Sequence, residues 1–118
     1  MLTEAARRRL AGRRLEPCPP RGLYAVMPDD APGWAYDVRS DRATIVDPQP
    51  HAALCVMTGP AMDIAHILEG SAVDLIYAFT YYRVAFTDLR YACFFTLFFE
   101  SATEARARLD RVGWAGSQ

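Results

Sequence analysis

Apolar and polar positions change period several times along the chain, and each change marks an element. Residues 2–14, LTEAARRRLAGRR, put Leu2, Ala6 and Leu10 on one face at i, i+4 and i+8, with arginines over much of the rest. That spacing predicts a surface helix, with Thr3 as a candidate cap. Pro17, Pro19, Pro20 and Gly22 end it and read as a linker. LYAVM (23–27) has the composition of a short strand, and PDDAPG (28–33) is a turn cluster. WAYDV (34–38) alternates, with Trp34, Tyr36 and Val38 on one face and Ala35 and Asp37 on the other. Ser40-Asp41 is turn-like and ATIV (43–46) follows, so the pair reads as a hairpin. After the break DPQP (47–50), AALCVMT (52–58) is almost continuously apolar, the pattern of a strand buried on both faces. Gly59-Pro60 stops it.

The second half turns helical. AMDIAHILEG (61–70) predicts a helix with Met62, Ala65, Ile67 and Leu68 inward and Gly70 at its C-terminal end. Ser71 caps a second helix over 72–79, with Asp74 in its first turn. YYRVAF (81–86) is aromatic and β-branched, hence a strand. Thr87 is a candidate N-cap for a helix over 88–99. Ser101 with Glu104 fits a capping box opening a last helix over 101–111, and Gly113 and Gly116 mark the tail. The order predicts an α+β fold, a mixed or antiparallel sheet with helices on one face. At 118 residues there is room for one core. The expected division is a helix and linker over 1–21 and a folded domain over 22–118.

The predicted helix 88–99 poses a problem. Leu89, Tyr91, Ala92, Cys93, Phe94, Phe95, Leu97, Phe98 and Phe99 cover essentially every face, and only Arg90 and Thr96 interrupt. A helix apolar all round must be enclosed, or must face something apolar beyond its own core. The run is far shorter than the roughly 20 residues a membrane-spanning helix needs. Tyr77, Phe79, Tyr81, Tyr82 and Phe86 lie just upstream and would extend the same wall, with tyrosine hydroxyls to orient a ligand.

Charge and composition narrow the chemistry. The net charge is −1, yet residues 1–21 carry six arginines against Glu4 and Glu16. Arg7, Arg8 and Arg9 are therefore candidates for contact with an anionic membrane. All thirteen basic residues are arginine, a bias common in GC-rich bacterial coding. No basic stripe with interleaved aromatics points to nucleic acid. Cys18, Cys55 and Cys93 are odd in number and widely spaced, which fits a reducing compartment, and no apolar leader precedes them, so a cytoplasmic protein is expected. Cys55 and Cys93 read as buried and unreactive. His51, Cys55 and His66 lack the spacing of a metal site. No nucleophile elbow or glycine-rich phosphate loop occurs, and Asp29, Asp30, Asp37 and Asp41 stand where turns favour aspartate. No enzyme, metal or cofactor is expected.

From Trp34 onward the motif order resembles the type-2 sterol carrier protein domain, the small bacterial lipid-carrier kind. WAYDV, AALCVMT, AMDIAHILEG, AVDLIYAF, YRVAF and TDLRYACFF follow in that family's order over residues 34–95. Where the family usually carries glycines, this chain has Tyr81 or Tyr82, and Thr87. The resemblance implies a five-stranded sheet covered by helices, and a hydrophobic tunnel between sheet and C-terminal helices. It implies binding of a sterol, acyl chain or polyprenyl lipid without catalysis. It further implies partnership with a lipid-metabolising enzyme or a place in quinone biosynthesis. Leu75, Ile76, Phe79, Tyr82, Val84, Phe86, Phe94, Phe95 and Phe98 are the residues expected to line the tunnel. The alternative is a small structural or regulatory subunit whose aromatic helix is a protein interface.

Overall fold

The computed structural model describes residues 1–111; Gly113 and Gly116 lie outside them. Five strands, β1 (Gly22–Pro28), β2 (Trp34–Val38), β3 (Ala43–Val46), β4 (Ala53–Gly59) and β5 (Ala85–Phe86), form one sheet in the order β3-β2-β1-β4-β5. β1 and β4 run parallel, and every other neighbouring pair is antiparallel. The helices are α1 (Leu2–Leu10), α2 (Ala61–Glu69), α3 (Ala72–Thr80), α4 (Leu89–Ala92) and α5 (Ala102–Arg111), with a 3₁₀ segment, Cys93–Phe98, following α4. The α+β expectation and the hairpin of β2 and β3 hold. No helix among the described residues is long and apolar enough to cross a membrane.

Strand alternation sorts the sheet into two faces. Tyr24, Val26, Trp34, Tyr36, Val38, Cys55 and Met57 point into the core, where Ala6, Leu10, Ile64, Ile67, Leu68, Leu75, Phe95 and Phe98 meet them. Ala25, Ala35 and Val56 form a smaller apolar layer on the other face. The helices thus gather on one side. β4 lies between β1 and β5, which explains three consecutive buried residues, Cys55, Val56 and Met57. The N-terminal segment belongs to the same core, since Ala6, Leu10 and Leu15 are buried in it.

Local chemistry sets the boundaries, and some differ from those the sequence pattern predicts. α1 ends at Leu10 rather than at residue 14, because Gly12 turns the chain with φ +69°. Thr3 does not cap it. In α2, Met62 is exposed and Ile64 takes the inward place beside Ile67 and Leu68. Gly70 ends α2 with φ −101°, outside the left-handed region. Ser71 caps α3 as expected, in a capping box completed by Asp74. The box of Ser101 and Glu104 also forms, with bonds of 2.9 and 3.1 Å.

The strand expected over 81–86 shrinks to Ala85–Phe86. α3 runs on to Thr80, and the chain then turns at Tyr82 with φ +61°. The amides of Arg83 and Val84 both donate to the Ala78 carbonyl, at 2.7 and 3.3 Å. A Cβ on Gly59 would sit 2.8 Å from the Arg83 carbonyl oxygen, so glycine lets the end of β4 approach this turn. Thr87 is not a cap either. Its amide donates to the Val56 carbonyl and its Oγ1 accepts from the Val56 amide, which extends the β4–β5 pairing. Asp88 caps α4 instead, accepting from the Arg90 amide at 3.0 Å.

Candidate functional site

The segment that looked apolar on every side is α-helical only over Leu89–Ala92. It then tightens into the 3₁₀ segment, where three residues make a turn and side chains three apart eclipse. That geometry divides the residues into stripes. Phe95 and Phe98 share the inward stripe and are fully buried. Phe98 stacks on Tyr36 with ring centroids 3.9 Å apart, and Tyr24 meets both phenylalanines edge-on. Cys93 and Thr96 share a second stripe, which faces a groove. Phe94 packs against Tyr91 at the flank.

The groove holds about 300 Å³ and opens to solvent. One wall is α3, contributing Leu75, Ile76 and Phe79 at the i, i+1, i+4 spacing of a single helical face. Phe86 of β5 closes one end, its ring 5.5 Å from Phe79 and 5.2 Å from Phe95. The other wall is Leu89, Ala92, Cys93 and Thr96. The lone hydroxyl of the lining among the described residues, Thr96 Oγ1, already donates to the Cys93 carbonyl at 2.7 Å. Among the described residues no charged side chain lines the groove. It can therefore take an apolar body and gives it no ionic anchor.

Of the nine residues expected to line a tunnel, Leu75, Ile76, Phe79 and Phe86 meet in this groove. Phe95, Phe98 and Val84 are buried core, Phe94 is at the flank, and Tyr82 projects into solvent. Leu89, Ala92, Cys93 and Thr96 were not among the nine. Their signal is the i, i+3, i+4, i+7 spacing, a stripe hidden by the larger phenylalanines between them. Cys93, read from its neighbours as buried, is exposed because it stands on the groove side of the 3₁₀ turn. Cys55 is buried, and that burial pushes its thiol pKa up, leaving it a poor nucleophile. Phe95, Phe98 and Phe99 are enclosed and drop out of the interface alternative, while Tyr77, Phe79, Tyr81 and Tyr82 of the same apolar wall are exposed.

Two larger concavities are more polar. One, of about 550 Å³ between α2 and α3, holds Asp63, His66, Asp74 and Arg83, but these groups pair with one another: Arg83 with Asp63 at 3.1 Å and His66 with Asp74 at 3.3 Å. The other, of about 420 Å³, lies beside α1 and includes Arg8 and Glu69. No cluster among the described residues has the composition of a metal site. The N-terminal arginines are largely engaged. Arg7 pairs with Glu4 at 2.6 Å, and Arg9 donates twice to the Phe99 carbonyl, at 2.7 and 3.2 Å.

No family model matches this chain, and no curated protein matches it. Among solved structures the chain is similar to one titled "UbiJ-SCP2 Ubiquinone synthesis protein", with a TM-score of 0.52 and 13% sequence identity. The match covers 79% of this chain and 73% of that one. The fold is that of a type-2 sterol-carrier-like domain.

Proposed function

We propose that the protein is a non-enzymatic binder of an apolar chain, held in the groove between α3, β5, α4 and the 3₁₀ segment. The observation that carries this reading is the lining: apolar side chains throughout, and one hydroxyl already bonded to its own backbone. Such a groove selects for hydrocarbon and leaves any polar head outside. Its volume is near the lower end of the roughly 300–1,000 Å³ typical of ligand sites, enough for part of a long chain. Each buried methylene contributes about 0.8 kcal/mol, so about eight give about 6 kcal/mol, an affinity of tens of micromolar before binding costs.

The fold supports this reading by analogy. The similar structure is titled a ubiquinone synthesis protein, which makes a polyprenyl chain the first ligand class to try beside acyl chains. A place beside an enzyme acting on such a lipid follows from the same analogy. The test is titration of a fluorescent acyl chain and a short polyprenyl alcohol into wild type and Ile76→Asp. Ile76 is half exposed, so the charge enters the groove wall without entering the core. Saturable uptake by wild type, weakened about tenfold or more in the variant, is expected. Equal uptake by both would exclude this groove.

A further inference from the structure

Phe86 differs from the other residues of the groove in how firmly it is held. Its strand pairs with β4 at Ala85 and Phe86, and the next residue, Thr87, bonds to Val56 through its amide and its hydroxyl oxygen. The backbone is therefore fixed on both sides of the ring. The ring lies 5.2 Å from that of Phe95, which is fully buried and met edge-on by Tyr24 at 5.7 Å and by Phe98 at 5.9 Å. A close-packed interior yields little, so Phe86 has no room to swing back into the core. Phe79 braces it from α3 at 5.5 Å.

The two long walls lead away from this ring. Along α3 the lining runs back from Phe79 to Leu75, and along the opposite wall it runs from Leu89, three residues after Phe86, to Thr96. Ile76 and Leu89 are more than half exposed and Cys93 is exposed, so these side chains form the rims. The groove thus has one end shut by a rigid aromatic wall and the remainder open to water. A chain with a polar head has one end that needs water and one that does not. The terminal methyl suits the shut end and the head suits the open one.

We infer that Phe86 sets the length of chain the groove holds, with the terminal methyl of an unbranched acyl chain against its ring and the polar head leaving at the end marked by Leu75 and Thr96. The inference rests on the groove being an apolar-chain site and adds the orientation of the chain and its length selectivity. Each methylene between the wall and the mouth is buried and tightens binding. A methylene beyond the mouth stays in water and adds nothing.

The experiment is calorimetric titration of the full chain with unbranched carboxylic acids from about eight to about sixteen carbons, each below its aggregation concentration. Wild-type affinity is expected to rise about fourfold per methylene and then level off. Phe86→Ala should move the levelling-off about two carbons longer, and Phe86→Leu about one. The leucine variant keeps an apolar side chain beside Phe79 and Phe95 and carries the test if the alanine variant does not fold. Leu89→Ala, on the rim, should weaken binding and leave the levelling-off where it is. An acid labelled with carbon-13 at its terminal methyl should show a ring-current shift of that methyl when bound to wild type, reduced in Phe86→Leu. Levelling-off at one length in wild type and both Phe86 variants, or a bound methyl without that shift, overturns the stop and leaves the groove reading intact. Wild type that binds none of the acids overturns the groove reading for acyl chains and this inference with it.

Discussion

Tyr82 shows how a single residue can hold a fold against its own preference. Its φ of +61° lies in the left-handed region, where a side chain other than glycine is strained by about 1 kcal/mol. Nothing is gained from packing there, since the ring is exposed. Tyr82→Gly should therefore raise stability by about 1 kcal/mol, seen as a rise of about 4 °C in a thermal melt. Phe98 is the opposite case, fully buried and stacked on Tyr36. Phe98→Ala should cost about 3–5 kcal/mol, read from the denaturation midpoint. The cysteines test the groove. A maleimide should label Cys93 and Cys18 and spare buried Cys55 in the folded protein. An apolar ligand in the groove should slow labelling of Cys93 and leave Cys18 unaffected. Equal rates at Cys93 with and without ligand would place the ligand elsewhere.

Among the elements, α5 is the most lightly held. None of its residues is buried, so it docks through charge. Glu104 meets Arg13 of the segment after α1 and also accepts from the Ser101 amide at 2.9 Å. Arg108 meets nearly buried Glu100 through two bonds, at 2.9 and 3.0 Å. Burial opposes ionisation of Glu104, but the Ser101 amide and Arg13 prevail and hold its pKa below the usual value. A carboxylate depressed in the folded state stabilises above its unfolded pKa of about 4.3, and that contribution fades as pH falls through the lower folded value. The protection factors of the α5 amides, taken against the intrinsic exchange rate at each pH, should therefore fall on acidification through that window, before those of the strands. Glu104→Gln should lower them at neutral pH. Protection equal to wild type would show that α5 is held by something else.

The same scale shows what the sequence disclosed. β2 was legible because Trp34, Tyr36 and Val38 alternate with smaller or polar residues, and β4 because Cys55, Val56 and Met57 break alternation. The cap at Ser71 and the capping box of Ser101 were legible because the partners lie within three residues. The 3₁₀ segment was not, because a 3.6-residue wheel applied to positions 88–99 spreads apolar residues over every face. At three residues per turn Phe95 and Phe98 fall inward while Cys93 and Thr96 face the groove. Nor was the shortness of β5, since the turn at Tyr82 relies on bonds to Ala78 that no local composition announces.

For the whole molecule, motif order carried the fold: meander, returning parallel strand, two helices, edge strand and closing helices. The position of the site carried less well. The expected tunnel assumed that the phenylalanines faced a ligand, yet Phe95 and Phe98 fill the core against Tyr24, Trp34 and Tyr36. What remains for a ligand is a shallower groove made by smaller neighbours. The central claim is that this groove holds an apolar chain, and native mass spectrometry of the purified protein, followed by organic extraction, tests it most directly. A discrete added mass that extracts as an acyl or polyprenyl lipid, and that is lost in Ile76→Asp, is the predicted result. A bare chain mass that takes up neither lipid class on titration would contradict the account.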